Sequence, residues 1–186
     1  KSVLKIIVNK TKIRKKILNI RKKHDKKKLQ INFQDIIRIL RKCKSNGRVI
    51  GGYYPYGSEI DTTKILKKFE KKKYLISLPK IKKNFQMDFF HWSSNEPLSI
   101  NKYGIPEPVS DKVMYPDILL VPIVAFDKNL NRIGYGGGFY DRYIKRVRKN
   151  KNFITIGLAY SFQKVKKIKI NNTDMKLNFI LTDKKN

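Results

Sequence analysis

Apolar residues recur every three or four positions near the start of the chain and then fall into short strand-like runs separated by polar turns. Ile13, Ile17 and Ile20 mark a helical stripe over residues 10 to 30 with a basic remainder. Asn32 is placed to cap a second helix, about 33 to 45, carrying Phe33, Ile36, Ile37 and Leu40. Arg48 to Tyr54 reads as a strand ending in a Tyr-Pro-Tyr-Gly turn, Asp61 to about Lys72 as a helix, and Tyr74 to Leu78 as a strand stopped by Pro79. Met87 to Trp92 is a further strand, and Tyr103 to Tyr115, with Gly104, Pro106 and Pro108, reads as an irregular crossing. Asp117 to Pro122 is almost continuously apolar, as in a strand buried on both faces. A loop to Gly138, a helix from about 139 to 148, a strand at 153 to 159 and a last strand near 179 to 182 follow. The alternation predicts one α/β domain over residues 1–186. Its architecture is a three-layer, open, mainly parallel sheet with helices on both faces, Rossmann-like, with a ligand crevice beyond the carboxyl ends of the strands.

Composition narrows the setting. The 186 residues are 40% hydrophobic, enough for a core despite the charge. The longest apolar run, Ile118 to Phe126, contains Pro122 and falls far short of the roughly 20 residues that cross a bilayer. The stretch VLKII is interrupted by Lys5 and leads into basic residues, a poor secretory signal. A lone Cys43 on an apolar helix face, with only His24 and His91, gives neither a disulfide nor a zinc cluster, so a cytoplasmic protein without membrane contact is expected. The formal charge of +30 would suit a polyanion, yet 35 of the 44 cations are lysine rather than the arginine that phosphate and base recognition favours. Lys, Asn and Ile, all with AT-rich codons, supply 75 of the residues, so drift at solvated positions competes with selection for a polyanionic partner. Runs such as Lys26 to Lys28 and Lys71 to Lys73 read as solvated helix surface.

The segment with the most chemistry runs from Arg132 to Arg142, where Gly134, Gly136, Gly137 and Gly138 meet the start of a helix. Glycine there permits positive φ and lets a ligand reach the main chain, and free amides at a helix start favour phosphate. The spacing is neither a Walker loop nor the dinucleotide fingerprint, and a merely tight turn is the competing reading. Arg132 and Arg142 flank it with fixed charge; Asp141 would cap the helix or hold a magnesium ion beside a phosphate.

DILLVPIVAFDKNLNRIGYGGGFYDRYI, residues 117 to 144, resembles the signature of the 5-formyltetrahydrofolate cyclo-ligase family, also called 5,10-methenyltetrahydrofolate synthetases. Lys10-Thr11-Lys12-Ile13-Arg14, YYPYGSEIDTT, NKYGIPEP, IGLAYSFQ, Asp174 and the closing FILTD resemble further family elements in order, covering nearly all of the chain from Lys10 and leaving residues 1–9 as an extension. The resemblance implies an enzyme that closes 5-formyltetrahydrofolate, polyglutamylated or not, to the 5,10-methenyl form while MgATP becomes ADP and phosphate. Lys10, Arg132 and Tyr140 would be catalytic. Lys10, Thr11, Lys12, Ile13 and Arg14, with Arg132, Ile133, Gly134, Tyr135, Gly136, Gly137, Gly138, Phe139 and Tyr140, would bind ATP. Tyr54, Glu59 and Tyr135 to Phe139 would border the folate, and Asp141 and Asp174 would hold Mg2+.

By local pattern alone these residues also have plainer roles. Lys10 and Arg14 read as solvated helix surface, Glu59 as a helix-start acid, Asp174 as a turn aspartate, Tyr54 as a packed aromatic, and His91 and Trp92 as packed strand. Two departures stand out: Ile123 where the family usually has glycine, and Phe139 where it usually has tyrosine. A monomer is expected. The rival readings are a basic nucleic-acid-binding protein on the same fold, and another ATP-dependent phosphoryl-transfer enzyme. Clustering of cations with exposed aromatics along one groove would mark the first.

Overall fold

The structure, a computed structural model, describes residues 2–24 and 30–184, with side chains from Asn9 onward; the lysine run at 26–28 lies outside them. In chain order the elements are α1 (Ser2–Lys23), α2 (Phe33–Lys42), β1 (Val49–Gly51), α3 (Thr63–Lys71), β2 (Leu75–Ile81) and β3 (Met87–Trp92). There follow β4 (Leu98–Ile100), β5 (Pro106–Pro108), β6 (Val113–Met114), β7 (Ile118–Pro122), β8 (Ala125–Phe126), β9 (Arg132–Ile133), α4 (Phe139–Val147), β10 (Ile154–Ala159) and β11 (Phe179–Thr182).

Seven strands form one sheet in the order β11-β10-β7-β1-β2-β3-β6. The five from β11 to β2 are parallel, and β3 runs antiparallel to both β2 and β6, so the sheet is mainly parallel as the alternation predicts. Alternation along β7 divides the core: Ile118 and Leu120 join α2 and α3 on one face, and Leu119 and Val121 join Tyr143, Ile144 and Val147 of α4 on the other. From β1 the chain proceeds to β2 in one direction, and from β7 to β10 and β11 in the other. The order therefore reverses between β1 and β7, the position where open α/β sheets leave a crevice past the strand ends.

Several local expectations need correction. The strand at Tyr74 is not stopped by Pro79 but continues to Ile81, paired with β3. Beyond Ser77 it has no β1 partner, and a sheet edge tolerates a residue lacking N–H. The irregular crossing at 103–115 contains β5, paired with β4, and β6, paired with β3. The loop before Gly138 contains the hairpin β8–β9. Its turn is held by buried Asp127, which accepts from the amides of Asn129, Asn131 and Ile168 and from the Asn131 side chain. Burial pushes that carboxyl up, but these hydrogen bonds outweigh it and hold it below its ordinary pKa. Cys43 is an exposed C-cap of α2, not part of an apolar face.

Helix α1 lies outside the two sheet faces. Ile13 and Ile17 pack on Val124, Ala125, Ile133 and Ile168, so the helix docks on the β8–β9 hairpin beyond the end of β7. No helix among the described residues is long and apolar enough to cross a membrane.

Ile123, the first departure noted above, fills the space over Gly157 of β10, where a Cβ would stand 2.3 Å from its Cδ1. Gly157→Ala is expected to lower unfolding free energy by about 1–3 kcal/mol through overpacking. Ile123→Val removes the colliding methyl and is expected to recover at least about 0.5 kcal/mol of that loss in a urea-melt double-mutant cycle; strict additivity would show that the two do not compete for this space.

Candidate active site

The loops after β1, residues 52–62, and after β7, residues 123–138, meet α1 at the crevice. Arg14 stands one residue after Ile13 and Arg21 one turn after Ile17, seven residues from Arg14 and so on the same side of the helix, and both reach these loops. Arg14 donates from Nε to the Gly134 carbonyl at 2.8 Å, and its own burial lowers its pKa. Arg142 donates to the Gly137 carbonyl at 2.5 Å and to that of Phe85. With the carbonyls held this way, none of the amides of Gly136, Gly137 and Gly138 donates a hydrogen bond among the described residues. Gly136 (φ +115°) and Gly138 (φ +66°) need glycine on backbone grounds, and a Cβ at Gly138 would stand 2.7 Å from Arg142 Nη1. Gly138 opens α4 without any side-chain cap, so the helix start faces the same space.

At the side of this loop Lys10 pairs with Asp174, and Arg132 donates to Asp141 at 2.9 Å. Asp141 Oδ1 also accepts from the Met175 amide at 2.9 Å, which ties the residue beside Asp174 to the start of α4. The two carboxylates thus converge from separate parts of the chain. Arg132, 4% exposed in its side chain, is engaged by Asp141 and the Met175 carbonyl. Among the described residues no group of three or more His, Cys, Asp or Glu forms a ready metal cage. Two hard oxygen donors suit a cation that keeps water and phosphate oxygens as its other ligands.

A second cluster lies deeper. Glu59, 8% exposed, accepts the Tyr56 amide at 2.8 Å. Burial pushes its carboxyl up to about 7, against the opposing pull of that amide, the Arg21 charge and the Tyr135 hydroxyl. Tyr140 stands near it, its hydroxyl pushed well above the ordinary range by burial and then by Glu59, so it remains a proton donor. Tyr53 is buried, and its hydroxyl has no hydrogen-bond partner among the described residues. A buried orphan hydroxyl facing a carboxyl is what a bound polar ligand would satisfy.

Of the residues singled out from sequence, the structure brings Lys10, Arg14, the glycine loop, Asp141 and Asp174 to one place, and sets buried Glu59 and half-buried Tyr140 near the exposed Tyr135 of that loop. Thr11 and Lys12 are exposed on α1, and Ile13 packs in the core beneath it. Tyr54 is half-buried and has no hydrogen bond or ring contact among the described residues; its neighbours Tyr53 and Tyr56 face Glu59 and Tyr135 instead. Phe139 keeps its ring beside Phe85, under the Arg142 guanidinium at 5.4 Å. His91 and Trp92 sit in β3, away from this cluster, with Trp92 donating to the Glu96 carbonyl. Arg21, Tyr53, Tyr56 and Ser58 are the residues that sequence reasoning missed. For Arg21 the signal was its seven-residue spacing from Arg14, hidden within a run of cations.

The model of the 5-formyltetrahydrofolate cyclo-ligase family matches residues 6–183. A 5-formyltetrahydrofolate cyclo-ligase from Haemophilus influenzae is 36% identical over 137 residues, 69% of this chain and 72% of that one. A probable cyclo-ligase from Schizosaccharomyces pombe is 31% identical over 59% of this chain and 62% of its own. An NMR structure of the Aquifex aeolicus 5,10-methenyltetrahydrofolate synthetase superposes with TM-score 0.75 at 28% identity, covering 95% of this chain and 90% of that one. A synthetase structure from Mycoplasma pneumoniae, at 24% identity, shares the fold with TM-score 0.71 over 94% and 99% of the two chains.

Glu59 carries a stability consequence. Its folded pKa lies above the ordinary carboxyl value, so the folded state binds the extra proton, and stability falls as pH rises from about 4.5 to about 7. Glu59→Gln is therefore expected to stabilise the ligand-free protein at neutral pH by roughly 1–3 kcal/mol and to flatten this part of the stability-against-pH curve. Thermal melts across that window check it, and an unchanged slope would remove Glu59 as the buried titrating group.

Proposed function

This chain belongs to the 5-formyltetrahydrofolate cyclo-ligase family, and from that membership we propose how its own residues carry the reaction. The substrate is 5-formyltetrahydrofolate and the co-substrate ATP; the products are 5,10-methenyltetrahydrofolate, ADP and phosphate. A formamide oxygen is a poor leaving group. Transfer of the γ-phosphoryl group onto it makes it a phosphate ester, the folate N10 attacks the activated carbon and gives up its proton to solvent, and the C–O bond breaks with release of phosphate. Such chemistry depends mainly on positioning and on neutralising charge.

The open amides of Gly136, Gly137 and Gly138, flanked by Arg14 and Lys10, are the observation that carries this reading. They offer main-chain donors and fixed positive charge where a triphosphate would lie. Asp141 and Asp174 would hold magnesium, which when bound supplies neutralising charge to the phosphates. Arg132 orients Asp141 from behind, and Lys10 is held by Asp174 ready to face phosphate oxygens. On the folate side, ionised Glu59 accepts from the pterin N–H groups, with the Tyr53 hydroxyl at hand for a polar atom of the ring. Tyr140, kept as O–H, donates near the reacting carbonyl. Aromatic surface from Tyr56 and Tyr135, whose ring centroids are 6.1 Å apart, borders the ring system. The basic surface steers two anionic substrates.

Purified protein mixed with MgATP and 5-formyltetrahydrofolate is expected to generate the ultraviolet absorbance of the methenyl product; silence from a folded sample would reject the reaction. Lys10→Ala and Asp141→Asn are expected to lower kcat/KM on the order of a hundredfold or more with an unaltered circular-dichroism spectrum. Rates near wild type would remove both residues from the chemistry.

A further inference from the structure

Arg21 is the largest fully buried side chain among the described residues, at 1% exposure. It has no carboxylate within ion-pair distance there; Glu59 is the acid whose charge it influences. Burying a guanidinium this way is costly, and a position that needed only to pack would carry an apolar residue, as α1 does at Ile13 and Ile17. Its donors reach three groups on the two loops: Nε to Ser58 Oγ at 2.8 Å, Nη1 to the Ile123 carbonyl at 3.1 Å, and Nη2 to the Tyr135 hydroxyl. The Tyr135 hydroxyl and the Arg21 charge both favour the ionised form of the Glu59 carboxyl. The guanidinium reaches its acceptors with a separate nitrogen for each, where a lysine would have to serve all three from one.

We propose that Arg21 is a positioning residue for the folate: it clamps the loop after β1 to the glycine loop through Ser58, Ile123 and Tyr135, and thereby holds Glu59 as an ionised acceptor for the pterin N–H groups. This rests on the role given to Glu59 above. The groups that face Glu59 are Arg21 from α1, Tyr135 from the glycine loop, Tyr53 and Tyr56 from its own loop, and Tyr140 from α4. Arg21 is the cation among them. It opposes the effect of burial, so its removal raises the pH at which Glu59 gains a proton. Folate affinity is then present above that pH and lost below it, while the glycine amides on the nucleotide side keep their own anchors, Arg14 on the Gly134 carbonyl and Arg142 on that of Gly137.

Arg21→Gln, Arg21→Lys and Tyr135→Phe test this, with both KM values measured from about pH 6 to 9 and the Glu59 carboxyl followed by carbon-13 NMR titration. In Arg21→Gln the folate KM is expected to rise on the order of tenfold at neutral pH, the ATP KM to move by less than about twofold, and the Glu59 midpoint to climb by about one unit. The folate defect narrows at alkaline pH. Arg21→Lys keeps the charge and restores most of the midpoint, but not the full affinity. Equal losses in both KM values, a defect independent of pH, or an unmoved Glu59 midpoint would each overturn the inference. Should Arg21→Gln fail to fold, Tyr135→Phe decides: deleting the hydroxyl between Arg21 and Glu59 should raise the same midpoint, and no rise refutes the relay. A wild type that forms no methenyl product condemns the reaction assigned above, whereas the NMR midpoints decide the Arg21 inference in either case.

Discussion

The docking of α1 on the β8–β9 hairpin is the contact on which the rest of the site depends. Ile13 and Ile17 bury against Val124, Ala125 and Ile133, and that apolar seam fixes the rotation of the helix. Once it is fixed, Lys10, Arg14 and Arg21 are carried to their partners by helical geometry alone: Asp174, the Gly134 carbonyl and the Tyr135 hydroxyl. The hairpin is in turn shaped by buried Asp127, whose acceptor oxygens organise the turn between β8 and β9. A core of five buried or half-buried apolar side chains and one carboxylate thereby places three cations around a glycine loop.

The two halves of the site solve opposite electrostatic problems. At the glycine loop, cations and main-chain amides are left ready for a highly charged ligand, close to water. Glu59 itself is buried beneath aromatic side chains, of which Tyr56 and Tyr135 remain open to solvent, and its carboxyl is balanced near neutrality by burial on one side and by Arg21, Tyr135 and an amide on the other. Such balance sacrifices some stability of the ligand-free fold to keep a strong acceptor in a low-dielectric pocket. The helix ends show a plainer use of the surplus charge. Arg41 and Lys42, Lys68 and Lys71, and Lys145 and Arg146 lie in the last turns of α2, α3 and α4, where cations complement the helix dipole. A hollow of about 710 Å3 lined by Arg41, Lys44, Arg48, Lys72, Lys73 and Tyr74 lies by the ends of α2 and α3, apart from the glycine loop.

How much of this was legible depended on whether the signal was periodic or conformational. β7 is readable because it is apolar on both faces, α2 because Asn32 accepts from the Gln34 amide as a cap should, and the glycine loop because four glycines together have few other uses. β8 and β9 were not readable: two-residue strands leave no period, and the polar turn between them looks like any loop. Pro79 misled because its tolerance depends on which neighbours flank it in the sheet, a tertiary fact. The same limit applies to Tyr53 against Tyr54. Adjacent residues after a strand point to opposite sides, and only the finished structure says which of the two faces Glu59. Arg21 was concealed by its company, since nothing in a run of basic residues marks the one that is desolvated.

The ion pair between Lys10 and Asp174 joins positions 164 residues apart. During synthesis, therefore, Lys10 of α1 waits for the 164 residues that bring its counter-charge. A polypeptide that stops before residue 174 has the glycine turn and every strand up to β10, yet leaves Lys10 without the carboxylate that holds it beside that turn.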